Sequence, residues 1–203
     1  MRARAGAIIL ALAVFGICGC GTGPESKFYQ LSAPAQLNSA AANEPLPITV
    51  LVGPLRTSHL YREDRLVYAT ANQEMGTYQT HRWAEPPAEM MRELLWRSLR
   101  ASRRYSGVLL LSSTARGDFV LQGNLYDFKE ISGSMPAARV DLELELRDVK
   151  TGALVWTHEY SHDEPVTGKD VPAVVAALDR NAQRAVSEAT ASLNEYFAER
   201  SKK

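Results

Sequence analysis

From Val140 to Arg147 the chain alternates without a break. Val140, Leu142, Leu144 and Leu146 are apolar, while Asp141, Glu143, Glu145 and Arg147 are charged. A strand points successive side chains to opposite faces, so a period of two demands one buried face and one wet face. That pattern belongs to an antiparallel sheet covered on one side only. Residues 118–128 and 153–160 read as its partners, with Val149-Lys150-Thr151-Gly152 as the hairpin turn into the last strand.

Two segments carry the other period. Pro86-Pro87 opens a helix, since the first backbone donors of a helix are unpaired in any case. Its apolar stripe is Pro87, Met91, Leu94, Leu95 and Leu99, and Glu93 and Arg97 form an i,i+4 pair on the outside. Asp170 caps a long final helix with Pro172 in its first turn and a stripe of Val175, Leu178, Ala182, Val186, Ala189, Leu193 and Phe197. Further strands are expected at 48–52, stopped by Gly53-Pro54, at 65–70 and 77–83 around the loop 71–76, and at 107–111. With 45% hydrophobic and 23% charged residues, 203 residues suffice for a packed core. The expected fold is α+β: a two-layer sandwich in which a mostly antiparallel mixed sheet is covered by two helices.

The N-terminus reads as an address. Arg2 and Arg4 precede an uncharged run from Ala5 to Ile17, which ends at Cys18-Gly19-Cys20. A helix of that run would reach about 20 Å against a hydrocarbon core of about 30 Å, so a signal peptide is favoured over a transmembrane span. Ile17-Cys18-Gly19-Cys20 resembles the bacterial lipobox, with Cys20 as the lipid attachment site. Each buried methylene contributes about 0.8 kcal/mol, so several acyl chains hold where one would not. The expected division is a signal peptide over 1–19, a lipidated N-terminus with a short strand patch and flexible linker over 20–47, and one domain over 48–203. Gly21, where an Asp would favour retention at the inner membrane, points to the outer membrane. Loss of Arg2 and Arg4 leaves the mature chain slightly acidic, which argues against nucleic acid as a partner.

Catalytic and metal patterns are absent from the sequence. His158 and His162 would lie about 13 Å apart along a strand, too far for one ion. His81 has no carboxylate at a recognisable spacing. Asp141, Glu143 and Glu145 alternate on a wet strand face, and Arg116-Gly117-Asp118 fits a turn leading into a strand. There is no phosphate loop, dinucleotide fingerprint, zinc spacing or nucleophile elbow. Neither an enzyme nor a cofactor is implied. Trp96 is out of place: on a helical wheel it falls with Glu89, Glu93 and Arg100, so it either packs under a neighbouring segment or meets a partner.

Several motifs in order resemble one family. They are the lipobox and Phe28-Tyr29-Gln30-Leu31, Leu66-Val67-Tyr68 leading to Arg82-Trp83-Ala84-Glu85-Pro86, Asp118-Phe119-Val120-Leu121-Gln122-Gly123, and Lys150-Thr151-Gly152 with Val155-Trp156. Together they resemble the ABC-type transport auxiliary lipoproteins of PqiC/YmbA type, although Leu60–Arg65 departs from that family's Leu-Asp-Arg-Pro-Gln form. The resemblance implies a non-enzymatic, lipid-anchored accessory of an MCE-type lipid transport system at the outer membrane. Its companions would be a periplasm-spanning MCE protein, a permease and an ATPase, and some relatives form rings, so a homo-oligomer is a further expectation. Tyr29, Leu31, Arg82, Trp83 and Trp96 are the candidate partner-binding residues. Two other readings stay open: a lipoprotein assisting outer-membrane protein or lipopolysaccharide assembly, and a periplasmic carrier enclosing a lipid in a cavity.

Overall fold

The structure is a computed structural model that describes residues 25–33, 44–70, 72, 74–112 and 114–200. The signal peptide, Cys20 and most of the linker therefore lie outside the described residues. The strands are β1 (Lys27–Tyr29), β2 (Leu46–Thr57), β3 (Arg65–Ala69), β4 (Met75–Trp83), β5 (Tyr105–Leu110), β6 (Phe119–Ile131), β7 (Ala137–Asp148) and β8 (Leu154–Pro165). Two helices, α1 (Pro87–Ala101) and α2 (Val171–Arg200), pack on the sheet.

The meander β6–β7–β8 is antiparallel throughout, pairing Leu121 with Leu146 and Leu144 with His158. Val140, Leu142, Leu144 and Leu146 are buried, as the alternation requires. The hairpin between β7 and β8 is set by Asp148, whose Oδ1 accepts from the N–H of Lys150 and Thr151 at 2.9 and 3.0 Å. Gly152 completes it at φ +71°, a conformation that costs glycine little.

On its other side β6 carries two strands end to end. β2 runs parallel along Val50–Thr57 against Phe119–Leu125, and β3 continues along Val67–Ala69 against Lys129–Ile131. The sheet is thus forked, with β5 beyond β2 on one branch and β4 then β1 beyond β3 on the other. The described strands form one eight-stranded mixed sheet. Against expectation, β2 does not stop at Gly53-Pro54. Its register against β6 shifts between Val52 and Leu55, so the bulge absorbs a proline that has no N–H to give.

Both helices bury the stripes read from the sequence. Met91, Leu95 and Leu99 of α1 are at most 1% exposed, and so are Leu178, Ala182, Val186 and Leu193 of α2. The alanines of α2 bring its axis near the sheet, and a hydrogen bond between the buried hydroxyls of Ser98 and Thr190, 3.0 Å, ties the helices together. Asp170 Oδ1 accepts from the N–H of Ala173 at 3.1 Å, which is the expected cap.

Candidate functional site

Three of the five candidate residues, Tyr29, Arg82 and Trp83, meet at the β1–β4 edge, and Leu31 lies just past it. β1 pairs parallel to β4 with Lys27 opposite His81, Phe28 opposite Arg82 and Tyr29 opposite Trp83. The Ala84 N–H donates to the Tyr29 carbonyl at 2.6 Å, extending the ladder. Facing residues of a parallel pair share a side, so Tyr29 and Trp83 point toward the helices while Phe28 and Arg82 point to the bare face. Trp83 is 1% exposed and meets Phe128 edge-on at 5.4 Å, so its ring acts from within the core. Arg82 Nη1 is 2.8 Å from Asp64 Oδ1.

Tyr29 stacks on His81 with ring centres 5.9 Å apart, and Tyr78 meets His81 edge-on at 6.0 Å. The Tyr78 hydroxyl donates to Glu130 Oε2 at 2.5 Å, and Ser132 Oγ donates to Oε1 of the same buried carboxylate at 2.9 Å. Burial and that carboxylate push the Tyr78 phenol well above its ordinary range, so it stays a donor. Past β1 the chain crosses to the helices. Leu31 is buried in the core cluster, Ser32 N–H donates to Asp179 Oδ1 at 2.8 Å, and Gln183 Nε2 donates to the Ser32 carbonyl at 2.7 Å. Residues 27–32 are thereby fastened to the sheet edge and to α2.

Trp96 lies elsewhere, against β5. Its Nε1 donates to the Val108 carbonyl at 3.2 Å, and the Arg100 guanidinium sits 4.6 Å above its ring. Among the described residues β5 pairs only with β2, which leaves its far edge open. A cleft of about 460 Å³ runs between Trp96, Arg100 and this strand, and Leu109 and Leu111 are 47% and 37% exposed nearby. Other polar groups are engaged in contacts within the fold. The Glu143 carboxylate accepts from the Tyr126 hydroxyl and from Asn124 Nδ2, bonds that hold it below the usual carboxylate range. Glu145 pairs with Arg147 at 2.9 Å, and Asp118 Oδ2 accepts from the Thr49 N–H at 2.8 Å. Among the described residues no three His, Cys, Asp or Glu side chains cluster as metal ligands would.

The sequence matches the description "ABC-type transport auxiliary lipoprotein component" over residues 29–189, from the strap to late in α2. The chain belongs to that family. A solved protein from Xanthomonas campestris superposes with a TM-score of 0.77 at 18% identity, covering 87% of this chain and all of that one. A second solved structure, of an uncharacterized protein, gives 0.66 at 14% identity and covers 84% of this chain and 99% of that one. No curated protein matches the chain. Membership makes the chain an auxiliary component of ABC-type transport and a lipoprotein of the bacterial envelope. Among the described residues no helix of this transport auxiliary lipoprotein is long and apolar enough to cross a membrane.

Two features of the auxiliary lipoprotein were not foreseen. One is the strap, whose polar contacts come from residues 147 and 151 positions away and leave no local trace. The other is Asn181, fully buried in α2, where its Nδ2 donates to the carbonyls of Ala138 and His162, both at 2.8 Å. Its Oδ1 accepts from the Tyr160 hydroxyl at 2.5 Å. An amide between Leu178 and Ala182 on an apolar stripe was the available signal.

Proposed function

We propose that Cys20 carries the acyl anchor and that the folded body docks an MCE-type conduit at the outer membrane, with signal residues 1–19 removed. The observation that carries this reading is the strap. The chain runs from Cys20 into β1 within seven residues, and residues 27–32 then fasten both to the sheet edge and to α2. Such a body is held close to a leaflet yet linked firmly to its anchor, as a docking module needs. ATP hydrolysis then belongs to companion subunits, with the permease in the inner membrane. A carrier role is less favoured, because the space between sheet and helices is filled by Leu, Val, Ala and aromatic side chains. The described clefts lie at the surface.

The test is photocrosslinking in cells from Tyr29, Arg82, Trp96 and Leu109, combined with a Cys20→Ser variant. Capture of an MCE protein from the wild-type background, lost when Cys20→Ser releases the chain from the membrane, is expected. Capture of an outer-membrane barrel alone would instead support the assembly role. Capture from Trp96 and Leu109 of a second copy would assign the β5 edge to a homo-oligomer.

A further inference from the structure

Among the described residues the most exposed large apolar side chain is Met135, 88% exposed in the turn between β6 and β7. It is not isolated. Met75 pairs with Ala69, Ala69 with Ile131, Ile131 with Ala137 and Ala137 with Pro165, so these residues form one row across five strands. Neighbouring strands are about 4.8 Å apart, which sets Met75 about 10 Å from the base of the Met135 turn. Met75 is itself 43% exposed. Val166, half-buried, joins the rim through its N–H, which donates to the Pro136 carbonyl at 3.0 Å. Lys27 and Lys169, both exposed, line the cleft behind it.

The direction of β1 says what this rim faces. Because β1 is parallel to β4, the chain upstream of Lys27 leaves toward the start of β4, where Met75 lies. Lys27 stands opposite His81, and the bulged β3–β4 pairing carries Met75 to Arg82 over only the stretch Ala69 to Arg65 of β3, so Lys27 lies about 13 Å from the Met75 row along the strand direction. Six residues separate Cys20 from Lys27, and the seven Cα steps between them span at most about 25 Å. The tether is therefore long enough to bring Cys20 to the Met75–Met135 rim. The opposite end of the sheet is the Val149–Gly152 hairpin, a full length of β6 away, about 40 Å.

We propose that the Met75–Met135 rim rests in the headgroup region of the bilayer that holds the Cys20 acyl chains, and that the body stands end-on with the Val149 hairpin pointing away. Unbranched methionines suit this place, since they fit irregular apolar surroundings. The exposed lysines nearby keep their ammonium groups at headgroup level. The inference rests on the acyl anchor at Cys20, and the experiment separates the two.

The full lipidated chain is reconstituted in phosphatidylethanolamine–phosphatidylglycerol vesicles containing a spin-labelled lipid quencher. Fluorophores are placed one at a time at S134C, F28C and V149C, each the only free thiol once Cys20 is acylated. Flotation of the vesicles is measured alongside. Strong lipid quenching at position 134, little at position 28 and none at position 149 is expected. Adding M75E and M135E to S134C should drop its quenching to the level of position 149 while flotation is unchanged. A chain that floats but leaves position 134 in water, or is quenched as strongly at position 28, refutes the end-on arrangement alone. A chain that does not float refutes the anchor and the arrangement together.

Discussion

Replacing Asn181 tests whether α2 is locked to the meander by one amide. The side chain makes three hydrogen bonds, to the carbonyls of Ala138 and His162 and from the Tyr160 hydroxyl, and is fully buried. Each buried polar group left without its partner costs about 1–3 kcal/mol. Asn181→Ala should thus lose about 3–4 kcal/mol, less than the sum because the space vacated admits a water. For a chain of this size that corresponds to roughly 10 °C in Tm. The comparator is Asn194→Ala, whose Oδ1 accepts one bond, from the Tyr105 hydroxyl at 2.7 Å, and which should cost about 1 kcal/mol. Asn181→Leu fills the space without restoring any bond and should remain within about 1 kcal/mol of Asn181→Ala. Urea unfolding of the folded body, followed by circular dichroism, gives all three values. If Asn181→Ala costs no more than Asn194→Ala, or if Asn181→Leu recovers wild-type stability, the hydrogen-bond reasoning is wrong.

Two further expectations follow from single positions. A Cβ on Gly123 would lie 1.9 Å from the Glu143 carbonyl oxygen of the neighbouring strand, so Gly123→Ala should prevent β6 and β7 from pairing and yield insoluble chain; Gly133→Ala, with nothing within 4 Å, should express and melt as wild type. His158 is stacked 5.7 Å from Trp156 with a buried Nε2 that has no partner, and desolvation lowers its pKa below the ordinary value despite the pull of Glu188. The unfolded chain then binds the proton more readily than the folded one, so stability is fully present above the ordinary histidine value, about 6.5, and falls as pH drops below it. Chemical denaturation between pH 7.5 and 5 should show that fall, and His158→Phe should reduce it; an unchanged slope in the variant would assign the effect to other groups.

Periodicity is visible along the chain because it depends on local backbone geometry alone. That is why the meander, both helices and their buried stripes could be read from residue order. The β6–β7 glycine also lies in a legible motif, Asp118 to Gly123. Proline and glycine in β2 misled, because a break signal and a bulge signal use the same residues, and only the shifted pairing with β6 tells them apart. Residue type marked Trp83 and Leu31 as important without saying which way they face. Their burial comes from Phe128 and from the helices, which approach them from distant parts of the chain.

By itself, the sequence determined the α+β class, the two helices and the alternation that buries one face of β7. These rest on neighbours within a few residues, where sterics and hydrophobic period act directly. Only the tertiary structure decided that the sheet is forked along β6, that β1 joins its edge, that the strap fastens to α2, and that Met75 and Met135 share a rim on the side from which the tether comes. Those arrangements are pairings between segments far apart in the chain. Strand order and direction there are chosen by the packing of the whole core rather than by any local pattern.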